Sequence, residues 1–482
     1  MSHARIRGVL GIAFAVVAAS ACSSSSSGGN AASADGGGSP GNCSDPLNCK
    51  PPADSISDGM GHTLKSFTPP GDTGPGTFVF SISGETNAIT GYPYPPYDPS
   101  GAVMVDGWNW QITKYIVVVD HITLWSDPNK SSSDQSQHGA KVAHVDGPFV
   151  VDLHKGGPLD GKGGGGEQAL AIAALTKMND SGGGSFDTST TYAFGFSTVP
   201  APSDGSAINV NLTKDEEADY QYMVQHGASV YYYGTANWTG DQSAAQMGFG
   251  TCSKDPNADF MSGNQTCATA SGSGGDAGMG DEGGGTCSSN YDFSKLPQSM
   301  SFQFAFPTPT NYVNCVNYSV SERVGHDVRG VQASATGTDI EQVTVHMDHP
   351  FWESFEEDTP THWDQIAGQY IGQTNPTAHL DDMKGVSFQP FKDKNGVVMP
   401  WHWCEDYTPP SNGAMSFDTL SVMVDPMGTC TGTVGQDYTQ DDCKSIRDYY
   451  DFMKYTQSTQ GHLNSQGLCF VDRQYPAPGG GS

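Results

Sequence analysis

Trp110-Gln-Ile-Thr-Lys-Tyr-Ile-Val-Val-Val-Asp-His-Ile-Thr-Leu-Trp125 is the stretch on which the fold turns. Its centre, Ile116 to Val119, is apolar at every position and mostly β-branched. Strict alternation would leave one face for water; a continuous run is the mark of a strand covered on both faces. Shorter segments of the same character lie on either side. Phe78, Phe80 and Ile82 alternate in residues 77–83, and residues 149–154, 192–196 and 230–233 follow. Past a glycine-rich interval come residues 302–306, 342–347 and 420–424. The chain holds 61 Gly and 30 Pro, residues that supply the turns such short strands need. The expected class is therefore mainly β, an antiparallel β-sandwich or a pair of them, with a few short helices and disulfide bracing.

Four helices are predicted. Residues 167–178 carry Leu170, Ala171, Ala174 and Met178 on one side, and residues 214–226 end at Gly227, a fitting left-handed terminator. Thr359-Pro360 gives an N-cap and a proline in the first turn, ahead of the apolar stripe Trp363, Ile366 and Tyr370. Residues 442–460 place Ile446, Tyr449, Tyr450 and Met453 at helical spacing.

The N-terminus sets the compartment. Arg5 and Arg7 precede an uncharged run from Gly8 to Ala19 that is too short for a permanent membrane span, so residues 1–21 read as a secretory signal. Ala19-Ser20-Ala21-Cys22 resembles a bacterial lipobox with Ala in place of the usual Leu or Val, which makes Cys22 the expected lipidation site. Residues 22–60 open with a Ser/Gly/Ala/Asn tract that has nothing to bury and reads as a flexible tether. The remaining expected divisions are a β-rich domain over 61–250, a Gly/Ser/Cys-rich linker over 251–290, and a second β-rich domain with a terminal helix over 291–482. The expected location is the cell envelope, with the globule in the periplasm or at the cell surface.

Lys+Arg number 22 against 52 Asp+Glu, a formal net charge of -30 with no basic stripe. Phosphate backbones would be repelled, which argues against nucleic-acid partners. Of 11 Cys, ten remain once Cys22 is acylated, an even number that favours disulfides in an oxidising compartment. Sequence order does not fix their pairing; joining near neighbours gives Cys43–Cys49, Cys252–Cys267, Cys287–Cys315 and Cys430–Cys443, and leaves Cys404 with Cys469.

The most unusual local sequence is Val345-His346-Met347-Asp348-His349-Pro350-Phe351-Trp352. On a strand His346 and Asp348 point the same way, and Pro350 stops the ladder so that His349 can turn to meet them. Imidazole and carboxylate together suit zinc, copper or iron, with copper or zinc as the expected cofactor. His362, His402 and His462 are the candidates to complete the ligand set. The ordinary alternative is that each histidine is a surface or hydrogen-bonding residue, since the chain has 14. His121, His144, Asp152 and His154 read as outward-facing strand residues. No Gly-x-Ser-x-Gly elbow stands between a strand and a helix, the pattern occurring as Gly37-Gly-Ser-Pro-Gly41 in the flexible tract, and no His-Glu-x-x-His motif is present, so a metal-dependent hydrolase stands second to a binding protein. A cell-surface interaction or carbohydrate-binding protein stands third, because Trp108, Trp110 and Trp125 with Tyr92, Tyr94 and Tyr97 could form a platform but fit a core better.

Residues 110–125, followed by Phe149-Val-Val-Asp-Leu153 and Tyr192-Ala-Phe-Gly-Phe196, loosely resemble exported bacterial β-sandwich lipoproteins, among them copper-binding proteins encoded with methanobactin. The resemblance covers about a third of the chain and rests on strand order. It implies an extracytoplasmic β-sandwich and, for that family, copper; the family's cysteine framework is absent and no site residue is carried across. The second half, with His-x-Asp-His-Pro-Phe-Trp and Gly-His-Leu-Asn, looks like uncharacterised bacterial lipoproteins.

Overall fold

The computed structural model describes residues 43–94, 104, 107–164, 166–239, 296–352, 361–384, 403–406, 422–424, 443–446 and 449–475. In chain order its principal strands are β1 (Phe78–Ser83), β2 (Trp108–Trp125), β3 (Phe149–Asp152), β4 (Gln168–Leu175), β5 (Ala193–Thr198), β6 (Val230–Trp238), β7 (Ser299–Phe306), β8 (Thr310–Val313), β9 (Asp339–Val345), β10 (Gly461–Leu463) and β11 (Phe470–Arg473). The helices are α1 (Glu85–Thr90), α2 (Glu217–His226), α3 (Tyr318–Val324), α4 (Asp364–Ala367) and α5 (Tyr449–Gln457).

β2 is the axis of an 11-stranded sheet. Its first part pairs with β6, from Trp108 opposite Trp238 to Val117 opposite Val230, and Ile116 to Val119 pair with β3 on the other edge. Residues 116–119 are fully buried, as the unbroken apolar run requires. The ladder is irregular between Asp120 and Thr123, where His121 takes φ 49°, and the rest of β2 then pairs with β5 and with Lys141–Val145. A bulge of this kind bends a strand and lets it serve two sets of partners.

The sheets are mixed, which corrects the expectation of an antiparallel sandwich. β9 runs parallel to β1, β7 runs parallel to Thr377–His379, and Ile208–Asn209 is parallel to both Lys65–Ser66 and β3. The six-stranded sheet has the order Gly467–Leu468, β10, β9, β1, β4, Leu159–Asp160. Residues 403–406, 422–424 and 443–446 form a small three-stranded sheet. Phe80 on the six-stranded sheet stacks on Phe194 of the larger one at 5.4 Å, which joins the two through a shared core.

Several boundaries also differ from expectation. The expected domains 61–250 and 291–482 are not separate: β6 pairs along its length with β7, and β1 pairs with β9, so each sheet draws strands from both. The described residues fall in one compact unit. The linker at 251–290, the signal at 1–21 and Cys22 lie outside the described residues. The tether reading fails for residues 43–60, where Cys43–Cys49 is a disulfide and Ile56 is buried.

Residues 168–175 are a strand rather than a helix. A continuous apolar run satisfies helical and strand spacing alike, and pairing of Phe78 to Ile82 with Leu175 to Leu170 decides between them. Residues 214–226 are helical as expected, beginning in a 3-10 turn and ending at Gly227 with φ 60°. The last helix is shorter than 442–460, because Cys443–Ile446 pairs with Trp403–Asp406.

Cys43–Cys49 and Cys315–Cys469 are bridged, so neither Cys287–Cys315 nor Cys404–Cys469 forms. The reason is topological: β8 and β11 pair with Val313 opposite Phe470, which sets the two cysteines side by side. These bridges fit an oxidising compartment outside the cytoplasm. No helix among the described residues is long and apolar enough to cross a membrane.

Tyr92, Trp108 and Trp110 are buried, so they are core rather than a surface platform. Asp152 is buried too, against the expectation of an outward-facing residue. Its Oδ1 accepts from the N–H groups of Tyr115 at 2.9 Å and His154 at 3.0 Å, tying β3 to β2. Burial is the main cause that pushes its carboxyl up to about 6, with the Glu216 carboxylate adding to it. The native state then holds a proton that the unfolded chain has released, so this group's contribution to stability falls as pH rises from 3.8 to about 6. Urea titrations of the native chain and Asp152→Asn across that window should show the native chain losing stability relative to the variant as pH rises. A difference that is flat with pH would contradict this.

Candidate metal centre

The strand β9 ends at Val345, and a 3-10 turn, His349–Phe351, with Pro350 in its first positions, folds the chain back. Phe351 N–H donates to Asp348 O at 2.8 Å, which closes that turn. The turn returns His349 toward His346, and the ligand atoms of His346, Asp348 and His349 lie within 4.8 Å of one another. His346 and His349 are 5% and 0% exposed.

β10 brings a third imidazole from far along the chain. Thr344 lies opposite His462 in the antiparallel ladder, so His346, two residues on, is its diagonal neighbour on the same face. The His346 and His462 ring centroids are 4.2 Å apart, and His462 to His349 is 5.5 Å. Gly461 lets β10 lie directly against Tyr312: a Cβ there would sit 2.5 Å from Tyr312 Cε1.

Hydrogen bonds fix which ring nitrogens face the cluster. Thr459 Oγ1 donates to Thr456 O at 2.7 Å, so it accepts from His349 Nδ1–H, also at 2.7 Å. That tautomer leaves the His349 Nε2 lone pair, an atom that is buried with no hydrogen-bond partner among the described residues. His346 Nε2 lies 3.1 Å from Ser465 O and 3.3 Å from Glu85 Oε1, an arrangement that calls for a proton on Nε2. A ligating histidine commonly donates its other N–H to a carbonyl or carboxylate in this way. Both ring nitrogens of His462 are buried and fall outside good hydrogen-bond geometry among the described residues, with the Thr459 and Gln466 backbone nearby. A buried lone pair left unmatched costs about 1–3 kcal/mol, which a bound cation would offset, whereas the ring's N–H gains nothing from a cation.

Burial, helped by the neighbouring imidazoles, holds both His349 and His462 well below the usual histidine range. Both rings are therefore neutral, the form that binds metal. Trp352 stacks on His349 at 3.8 Å and donates from Nε1 to Asp348 Oδ2 at 3.2 Å, fixing the carboxylate beside the rings.

Of the remaining sequence candidates, His362 is buried one residue from the Trp352–Thr361 bridge, and its N–H donates to Phe351 O at 2.9 Å. It is not a member of the converging group. His402 lies outside the described residues. Sequence reasoning missed Glu85, the first residue of α1, whose φ of 63° sets it under His346. Nothing in the local sequence marks it, since only the packing of α1 against the end of β9 gives it a role.

A second His/Asp group, Asp120, His121 and Asp146, lies at the bulge of β2. It is open to water, with the His121 and Asp146 side chains 59% and 54% exposed, and the 3.0 Å contact between them has the character of a surface ion pair.

Fold and site together define a β-rich, disulfide-braced protein carrying two His/Asp groups that could hold a metal ion. The chain matches no protein-family profile, no curated protein and no solved structure.

Proposed function

We propose that this chain is an extracytoplasmic binding protein that holds a transition metal, copper or zinc, at His346, Asp348 and His349, with His462 completing the site. The observation that carries the reading is the convergence of His346, Asp348 and His349, whose ligand atoms lie within 4.8 Å, together with the buried His349 Nε2, which has no hydrogen-bond partner among the described residues. Neutral imidazoles with one carboxylate suit both metals. The Ala19-Ser20-Ala21-Cys22 stretch supports attachment to a membrane through lipid on Cys22.

The second reading, a metal-dependent hydrolase, needs a carboxylate within reach of a metal-bound water from which it can take a proton. Glu85 lies 3.3 Å from His346 Nε2, the nitrogen that carries the ring's proton, a contact that orients the imidazole rather than one that activates water. Burial of all the imidazoles leaves little access for a substrate, and so favours binding over turnover. The test is elemental analysis of the mature protein followed by zinc and copper(II) titration. About one equivalent is expected, lost in His346→Ala/His349→Ala and retained in His121→Ala, as for a closed site with dedicated ligands. Unchanged metal content in the double variant would overturn the reading.

A further inference from the structure

A cavity of about 450 Å³ opens on the same strand that carries the histidines, among a different set of residues. Asp339 and Glu341 are alternate residues of β9, so both side chains lie on one face. Glu341 is 5% exposed and forms the floor. Its carboxylate accepts from Asn464 Nδ2, and from Asn317 Nδ2 at 3.5 Å. Asn464 Nδ2 also reaches Asn317 Oδ1 at 3.0 Å, and Asn464 Oδ1 accepts from Gln342 N–H at 2.8 Å, so the floor is rigidly built.

Asp339 Oδ2 is buried, and the neighbouring Glu341 carboxyl, which holds its proton, is a hydrogen-bond neighbour of Asp339. Two carboxyls sharing one proton keep one net negative charge, which an ammonium donor would satisfy. At the mouth stand two exposed cations, Lys162 on the loop before β4 and Arg323 in the last turn of α3. The remaining wall is Ser, Thr, Gln, Gly, Ala and Val, with no aromatic ring on which a sugar could stack. The lining thus carries both signs, two carboxyls on β9 and two cations, of which Lys162 is near enough to act on both carboxyls. A neutral polyol has no use for those charges, whereas a ligand with an ammonium and a carboxylate matches both.

We infer that this cavity is a second binding site, for a small zwitterion of the amino-acid class, its ammonium on Asp339 and Glu341 and its carboxylate toward Lys162 and Arg323. In the empty cavity the acid pair stays uncrowded by charge because burial and the Asp339 carboxylate push Glu341 up to about 8. The volume suits a single small molecule, being at the low end of the range for ligand pockets.

The test is calorimetric titration of the mature chain with L-alanine, 4-aminobutanoate and 6-aminohexanoate, three spacings of the same two charges, with propylamine and glucose as single-feature probes. At least one zwitterion should bind about ten-fold or more tighter than propylamine and glucose, the factor expected when a charged contact is added. Arg323→Gln, an exposed change that leaves the core untouched, should lower that affinity by about ten-fold, as should Asp339→Asn. His349→Ala should leave it unchanged, which separates this site from the metal centre. No preference for any of the three zwitterions over both single-feature probes, or unaltered binding in Arg323→Gln, would overturn the inference.

Discussion

Trp110→Ala is expected to destabilise the protein by about 3–5 kcal/mol, the cost of emptying an aromatic site in a packed core. Trp110 is fully buried, stacked on Phe302 at 4.7 Å, edge-on to Phe351 at 4.8 Å, and against Tyr92 and Trp363 at 5.5 and 5.8 Å. Its neighbours belong to separate elements, so they cannot collapse together into the space without moving backbone. Main-chain bonds hold the position: Trp110 and Tyr92 exchange N–H to O contacts of 3.0 and 2.7 Å. The indole Nε1 has no hydrogen-bond partner among the described residues, so Trp110→Phe, which removes that buried donor and keeps most of the ring, should cost under about 1.5 kcal/mol.

The effect reaches the site. Phe351 is the last residue of the His349–Phe351 turn, and Trp110 is part of the surface on which that turn rests. Loss of the indole should therefore weaken metal binding as well as stability. Urea unfolding followed by tryptophan fluorescence, with metal titration on the same samples, measures both. A destabilisation below about 1 kcal/mol for Trp110→Ala would mean the aromatic cluster is not the packed core described.

Removing Cys315–Cys469 is the second large effect. The bridge spans 154 residues of sequence, and in the chain-entropy model a loop of that length corresponds to about 5 kcal/mol. Cys43–Cys49 spans 6 residues, for which the same relation gives about 2 kcal/mol. Cys315→Ser/Cys469→Ser should accordingly lose more stability than Cys43→Ser/Cys49→Ser. Local packing points the same way: Cys315 N–H donates to Phe194 O at 3.0 Å and Val316 N–H to Leu468 O at 2.8 Å, so the bridge lies where β5, β8 and the C-terminal strands meet. Equal losses in the two double variants, read by urea midpoints at matched protein concentration, would refute the long-loop argument.

What the sequence determined by itself was whatever a short window contains. β2 was legible because β-branched residues on both faces leave no other burial pattern, and helix 214–226 because its terminating Gly227 is local. The grouping of His346, Asp348 and His349 was likewise legible, since the three lie within four residues between a strand end and the turn that carries Pro350. Tertiary structure decided the rest. The apolar segment 168–175 is a strand only because β1 lies beside it, and the partner of Cys315 follows from the register of β8 with β11. His462 reaches His346 only through the ladder of β10 with β9, and Glu85 enters only where α1 meets that strand's end. Periodicity reports how one segment prefers to bury its own face, whereas parallel pairing, disulfide choice and the meeting of distant side chains depend on surfaces that exist only once the whole chain has closed.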